Sequence, residues 1–140
     1  MLDLVRDDLA DARVLELFAG TGAIGFEAIS RGARSADFVE FRPDSLHALR
    51  ANVAAFRLRE STRIFKRDAI PYAAMLGPAS YDIAFADPPY GSRQLDRVIA
   101  SWHASHFSRI LVVEHASTHE LPRGGSSRAF DDTMVTLYRA

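Results

Sequence analysis

The chain holds 140 residues, 48% of them hydrophobic, with 17 basic against 18 acidic side chains and a formal charge of −1. That length suits a single domain, 1–140, with a radius of gyration of ~14 Å, and the apolar fraction excludes a mainly disordered chain. No apolar run approaches the ~20 residues of a membrane span, Asp3, Asp7 and Asp8 interrupt the start as a signal peptide would not, and without cysteine there are no disulfides, thiol chemistry or Cys-ligated zinc. The expectation is a cytoplasmic protein, with too little net charge for polycationic nucleic-acid binding but room for a local basic patch.

In chain order, Arg13–Phe18 reads as a strand and Gly22–Ser30 as a helix that opens straight after a glycine turn. Ser35–Glu40 is the next strand. The following helix carries Pro43 in its first turn, where a missing N–H is tolerated. Leu46, Leu49, Val53 and Phe56 then recur at three- and four-residue spacing and predict one buried stripe. Thr62–Lys66 is a third strand, Ala69–Leu76 a short helix stopped by Gly77-Pro78, and Tyr81–Ala86 a fourth strand. Leu95–His103 is helical, with Leu95, Val98, Ile99 and Trp102 on one side. Ile110–Val113 is apolar enough for a central strand covered on both faces. After Gly124-Gly125 come two short strands, Arg128–Phe130 and Met134–Tyr138, with Asp131-Asp132 as the turn.

Strand–helix alternation predicts an α/β fold, a doubly wound, mostly parallel sheet with right-handed crossovers. A tightly joined closing pair must be antiparallel. A seven-stranded sheet ending in such a hairpin resembles the S-adenosylmethionine methyltransferase variant of the Rossmann layout. That analogy alone assigns no chemistry.

Gly20-Thr21-Gly22-Ala23-Ile24-Gly25 matches G-x-G-x-x-G between a strand and a helix. The first two glycines permit a tight turn and close approach of a ligand, and the third lets helix and strand pack closely. The motif serves NAD, FAD or S-adenosylmethionine equally, or a turn with no ligand. Glu40 ends the second strand, 20 residues after Gly20, where a carboxylate can accept from two ribose hydroxyls. Asp68 ends the third strand and could accept from an adenine amine. Glu16 could meet a cationic amino-acid moiety, which NAD lacks and S-adenosylmethionine has. Each could instead be a solvated carboxylate at a helix N-terminus.

Asp87-Pro88-Pro89-Tyr90 follows the fourth strand on the same edge of the sheet. Two prolines without N–H groups make a rigid loop that presents carbonyl acceptors. An exocyclic base amine is a poor nucleophile because its lone pair is delocalised into the ring. With the Asp87 carboxylate and the Pro88 carbonyl each accepting one N–H, that lone pair can turn toward a sulfonium methyl, an effect of position and electrostatics. Tyr90 would stack on the unpaired base. A strand-ending Pro-Pro turn with an aromatic lid is the plain alternative.

These residues resemble the bacterial small-subunit ribosomal RNA guanine-N2 methyltransferases, the RsmD family. Val14–Ala33 (VLELFAGTGAIGFEAISRGA), Phe38–Glu40, the Asn52 region, Tyr81–Tyr90, Leu111–His115 and Val135–Arg139 fit in order over nearly the whole chain. The resemblance implies S-adenosylmethionine as cofactor and N2 of a guanine in 16S ribosomal RNA, free or in the assembling small subunit, as acceptor. By position, Glu16, Phe18, Gly20, Gly22, Gly25, Glu40, Asp68 and Asp87 would line the cofactor site, and Asp87, Pro88, Pro89 and Tyr90 would hold the base. Members of the family carry a further arginine-rich N-terminal stretch, whereas Met1 here falls within the first expected helix, so weak RNA binding is expected.

Arg31, Arg34, Arg57, Arg59 and Arg63 fall on the edge away from the catalytic loop. Arg42, Arg93, Arg97, Arg123 and Arg128 follow strand ends and could meet phosphates. The pairs His115/His119, placed in a loop, and His103/His106 lack carboxylate or thiol partners, and no metal is expected. Trp102 and Phe107 read as core, Glu114 as a solvated carboxylate with a polar role at the active-site rim as the alternative, and Asn52 has no assigned task. The alternatives are an adenine-N6 methyltransferase on DNA or RNA, or a cofactor-binding domain without activity. A nicotinamide dehydrogenase leaves Asp87–Tyr90 unexplained. A monomer is the default.

Overall fold

The computed structural model describes residues 1–89, 93–131 and 133–140. A 3-10 segment, Leu2–Asp8, leads into strand β1 (Arg13–Leu17), helix α1 (Ala23–Ser30), β2 (Ser35–Glu40), α2 (Pro43–Ala55), β3 (Thr62–Lys66), α3 (Ala69–Ala74), β4 (Tyr81–Ala86), α4 (Gln94–Ser105), β5 (Ser108–Ala116), β6 (Ser126–Phe130) and β7 (Thr133–Arg139). The seven strands form one sheet in the order β3-β2-β1-β4-β5-β7-β6. β1 to β5 are parallel, and β7 pairs antiparallel with both β5 and β6.

Alternation along each strand builds two cores. Val14, Phe38, Ile83, Phe85, Ile110 and Val112 face α1, α2 and the N-terminal segment, meeting Phe26, Leu49 and Val53. Leu15, Leu17, Val39, Ala84, Leu111 and Val113 face α3 and α4, meeting Tyr72, Leu95, Val98 and Trp102. Helices on both faces explain why β5 is apolar throughout its centre. The second face also buries a polar cluster. Asp37 accepts from the Tyr81 hydroxyl at 2.6 Å and from Arg63 Nη2 at 2.7 Å, and Tyr72 and Tyr81 hydroxyls lie 3.0 Å apart.

Three expectations need correction. Phe56 is not in the buried stripe of α2: the helix ends at Ala55, so Phe56 caps it, 57% exposed, with its ring edge-on to Phe26. His115 lies on β5 rather than in a loop, because that strand runs on to Ala116. Glu114 is not a freely solvated carboxylate, as shown below. The closing turn is placed as expected at Asp131, where φ is +48°; Asp132 lies outside the described residues.

Candidate active site

Strand order reverses between β1 and β4, and in open α/β sheets the crevice at such a reversal is where ligands bind. Here the carboxyl ends of the strands enclose a cavity of about 400 Å³, lined by Phe18 after β1, Val39 to Arg42 at the end of β2, Arg67 and Ala69 around the start of α3, Asp87, Pro88 and Pro89 after β4, and Gln94 of α4. That volume falls in the range of small-molecule sites.

The turn after β1 is shaped by backbone. Phe18, Gly20 and Gly22 all have positive φ, of 56°, 58° and 85°, a conformation uncommon for a bulky side chain such as Phe18. It carries the chain sharply from β1 into α1, whose N-cap is Gly22 and has no side-chain cap. A side chain at Gly25 would come within 2.8 Å of Phe38 Cζ, so the third glycine of the motif serves helix–strand packing. Asn52 of α2 donates from Nδ2 to the Thr21 carbonyl at 3.0 Å and pins the turn from the side. The sequence offered no periodic signal for that bond, since Asn52 reaches across from another element.

Glu40 Oε1 accepts from Gly20 N–H at 2.9 Å, and Oε2 from Phe41 and Arg42 N–H at 2.8 and 2.9 Å. Burial raises the proton affinity of this carboxyl, but the N–H groups of Arg42, Gly20 and Phe41 and the Arg42 guanidinium outweigh it and hold the pKa below its ordinary value. Glu40 is therefore a fixed anion. Three of its roughly four acceptor positions are occupied, which leaves room for one ligand hydroxyl without disturbing the loop. Phe41, 55% exposed, stands next to it on the crevice wall.

Glu16 lies deeper than the expected cofactor contacts. Only 4% exposed, it points to the α1 face and accepts from Gly25 N–H at 2.9 Å. Burial, above all, pushes its pKa up to about 8, against the Gly25 and Ile24 N–H bonds and with help from the Asp87 charge. Asp68 is exposed and caps α3, accepting from Ile70 N–H at 3.2 Å. It sits between the lining residues Arg67 and Ala69 without lining the cavity itself.

Asp87 and the buried Pro88 stand at the mouth, across from Glu40 and Phe41. Burial raises the Asp87 pKa, and the charge of Glu114 and a side-chain hydrogen bond with it raise it further, to about 6. Asp87 thus has the hydrogen-bond partner that sequence reasoning missed. Continuing the alternation Ile110, Val112 by one step would have put Glu114 on the face that Asp87 shares with Ile83 and Phe85. Tyr90 lies outside the described residues.

Among the described residues there is no cluster of three His, Asp or Glu side chains able to hold a metal. His115 is bonded to Thr136 Oγ1 at 2.7 Å, and His119, against expectation, has a carboxylate partner, Asp96 Oδ1 at 3.0 Å, brought to it from α4. Arg31, Arg34 and Arg63 pair with Asp3, Asp11 and Asp37, whereas Arg42 and Arg67 line the crevice.

The strand order, the antiparallel β7 inserted beside β5 and the crevice at the reversal define a class I methyltransferase fold. A Streptococcus pyogenes protein of this fold superposes with a TM-score of 0.86 at 24% identity, covering 99% of this chain and 91% of that one. The protein yhhF of Escherichia coli, titled provisionally a methyltransferase, gives 0.84 at 26% identity, with 99% and 80% coverage. The family model described as Conserved hypothetical protein 95 matches residues 1–133, and the chain belongs to that family, the RsmD-like group whose motifs it carries. Among curated relatives, YlbH of Bacillus subtilis (strain 168), named provisionally as an rRNA methyltransferase, is 29% identical over 115 residues, 79% of this chain. Ribosomal RNA small subunit methyltransferase D of Escherichia coli (strain K12) is 33% identical over 91 residues, 65% of this chain. The match spans 62% of the length of the first and 45% of the second.

Proposed function

We propose that this chain is a methyltransferase acting on ribosomal RNA, with S-adenosylmethionine as donor and the exocyclic N2 amine of a guanine in 16S RNA as acceptor. The observation that carries the reading is one crevice at the strand-order reversal, with the fixed anion Glu40 on one wall and the Asp87-Pro88-Pro89 acceptors on the other. The names of the relatives point to rRNA as substrate, and the guanine amine follows from the motif resemblance.

The residues fit the donor. The positive-φ turn at Gly20 and Gly22 lets a ligand approach the backbone, the remaining acceptor position on Glu40 suits a ribose hydroxyl, and Phe41 and Phe18 offer apolar surface for a purine. Bound there, S-adenosylmethionine supplies a methyl group on a sulfonium, whose departure leaves a neutral thioether. The chain's own contribution is position. Asp87 and the Pro88 carbonyl accept the two N–H bonds of the base amine, which directs the nitrogen lone pair into the crevice and stabilises the positive charge that develops there. Glu16, buried beneath the turn and bonded to the Gly25 N–H, supports that turn without lining the crevice.

Transfer of a tritiated methyl group tests the reading, using immature small ribosomal subunits, naked 16S RNA and DNA as acceptors, followed by digestion to nucleosides. Label on guanosine of the subunit RNA is the expected result. Label on adenosine would replace the guanine assignment, and binding of the donor with no label on any acceptor would contradict transfer altogether.

A further inference from the structure

Glu114 has no task in the reaction as described, yet it stands beside the group that performs it. In the β4–β5 pairing Ala86 lies opposite Val113, so the next residues, Asp87 and Glu114, are neighbours on adjacent strand ends. Both fall on the α1 face, in step with Phe85 and Val112, and so does Glu16 on β1. Their side chains are hydrogen-bonded to each other. Thr133 of β7 donates from Oγ1 to Glu114 Oε1 at 3.1 Å and fixes it from the far side. Two carboxyl groups share a hydrogen bond only through a proton, and no guanidinium or ammonium group among the described residues supports Asp87 in its place.

We infer that Glu114 is a positioning residue which, through Asp87, lets the crevice take up the proton that a methylated base amine must lose. The inference rests on the function proposed above and adds to it a destination for the proton. A base –NH₂ group that has gained a methyl bears a positive charge and one hydrogen too many. One N–H bond breaks, its electron pair stays on nitrogen, and the proton forms an O–H bond on the Asp87 carboxylate. Amine and Asp87 are then both neutral, and the new acid donates to the Glu114 carboxylate, which keeps its charge. A neighbouring anion raises the proton affinity of a carboxylate, and a base works best when that affinity lies near the working pH. Without Glu114, Asp87 would keep only the rise that burial gives it and would be a weaker base.

The other charged groups facing the pair are Glu16 from β1, Glu40 and Arg42 from the end of β2, Arg67 before α3, and Arg128, whose β6 position lies opposite Val135, the partner of Glu114. Glu16 favours its neutral form and so adds little charge beside the pair. The arginines are exposed, where solvent and salt screen them. In acid the pair already holds its proton, so Asp87 has no charge left with which to take up another.

Two readouts test this. In a carbon-13 carboxyl NMR titration of the ligand-free chain, the Asp87 midpoint should lie near pH 6 and drop by more than one unit in Glu114→Gln, while Glu114→Asp keeps most of the elevation. In single-turnover methyl transfer, the wild-type rate should fall as pH drops through about 6. Glu114→Gln should move that acid limb lower by more than one unit and reduce the plateau roughly tenfold. Thr133→Val, which removes only the anchor, should shift the limb the same way by less, and serves if Glu114→Gln does not fold. An Asp87 midpoint or an acid limb indifferent to Glu114 would overturn the inference. Absence of transfer by the wild-type chain would overturn the functional reading and the proton's destination together, while the titration still reports whether the carboxyls share a proton.

Discussion

A carboxyl group that is 4% exposed and bonded to backbone N–H groups alone, as Glu16 is, favours its neutral form. The sign of its effect on stability follows. With a folded-state pKa of about 8 against an ordinary carboxylate value when unfolded, the native chain holds a proton that the unfolded chain releases. Its stabilising contribution is therefore complete in acid and is lost as pH rises to about 8. Urea denaturation at pH 5 and pH 8.5 should show the wild type losing on the order of a few kcal/mol more than Glu16→Gln over that interval. Equal losses would show that Glu16 ionises freely in the fold. Glu40 is the opposite case. It too is buried, but three N–H donors surround it, so it stays charged where Glu16 does not. Both residues were legible in the sequence as acidic positions at strand ends, but their different charge states were not. Charge state here depends on how many backbone donors the folded turn aims at each carboxylate.

At the scale of elements, the helix starts divide the labour between side chain and ligand. α3 has its own cap, Asp68, whereas α1 begins at a left-handed Gly22 with no side-chain acceptor, and its Gly25 N–H is met by Glu16 from below. Asp68→Ala should therefore lower stability by about 1 kcal/mol, measured by thermal or chemical denaturation of the ligand-free chain. No change would mean that the cap is dispensable and that the carboxylate is free for a ligand. The elements themselves were readable because the strands carry β-branched and aromatic runs and the helices a 3.6-residue stripe. β2, β3 and β4 have the bounds their sequences predict. Phe56 was misread because its spacing continues the α2 stripe one step past the helix end. β5 and β7 proved longer than expected because pairing with other strands extends their ends, Ala116 with Thr133 and Ile110 with Arg139 in the antiparallel pair and Ser108 with Tyr81 in the parallel one, a long-range effect no local pattern carries. The Asp87–Glu114 contact belongs with these, since register between two strands 27 positions apart created it.

Over the whole molecule, two cores on opposite faces of one sheet hold the strand ends rigid, and the crevice is what remains where the crossovers diverge. That geometry makes a division of roles: Glu40 and the glycine turn on the side that would bind the donor, Asp87 and Pro88 on the side that would orient the base. The claim is best tested by measuring donor binding and methyl transfer in the same two variants. Glu40→Ala should weaken calorimetric binding of S-adenosylmethionine tenfold or more. Asp87→Ala should bind it within a few-fold of wild type and yet transfer methyl at least about a hundredfold more slowly. An Asp87→Ala chain that methylates immature small subunits at the wild-type rate, or a wild-type chain that binds no S-adenosylmethionine, would contradict the account.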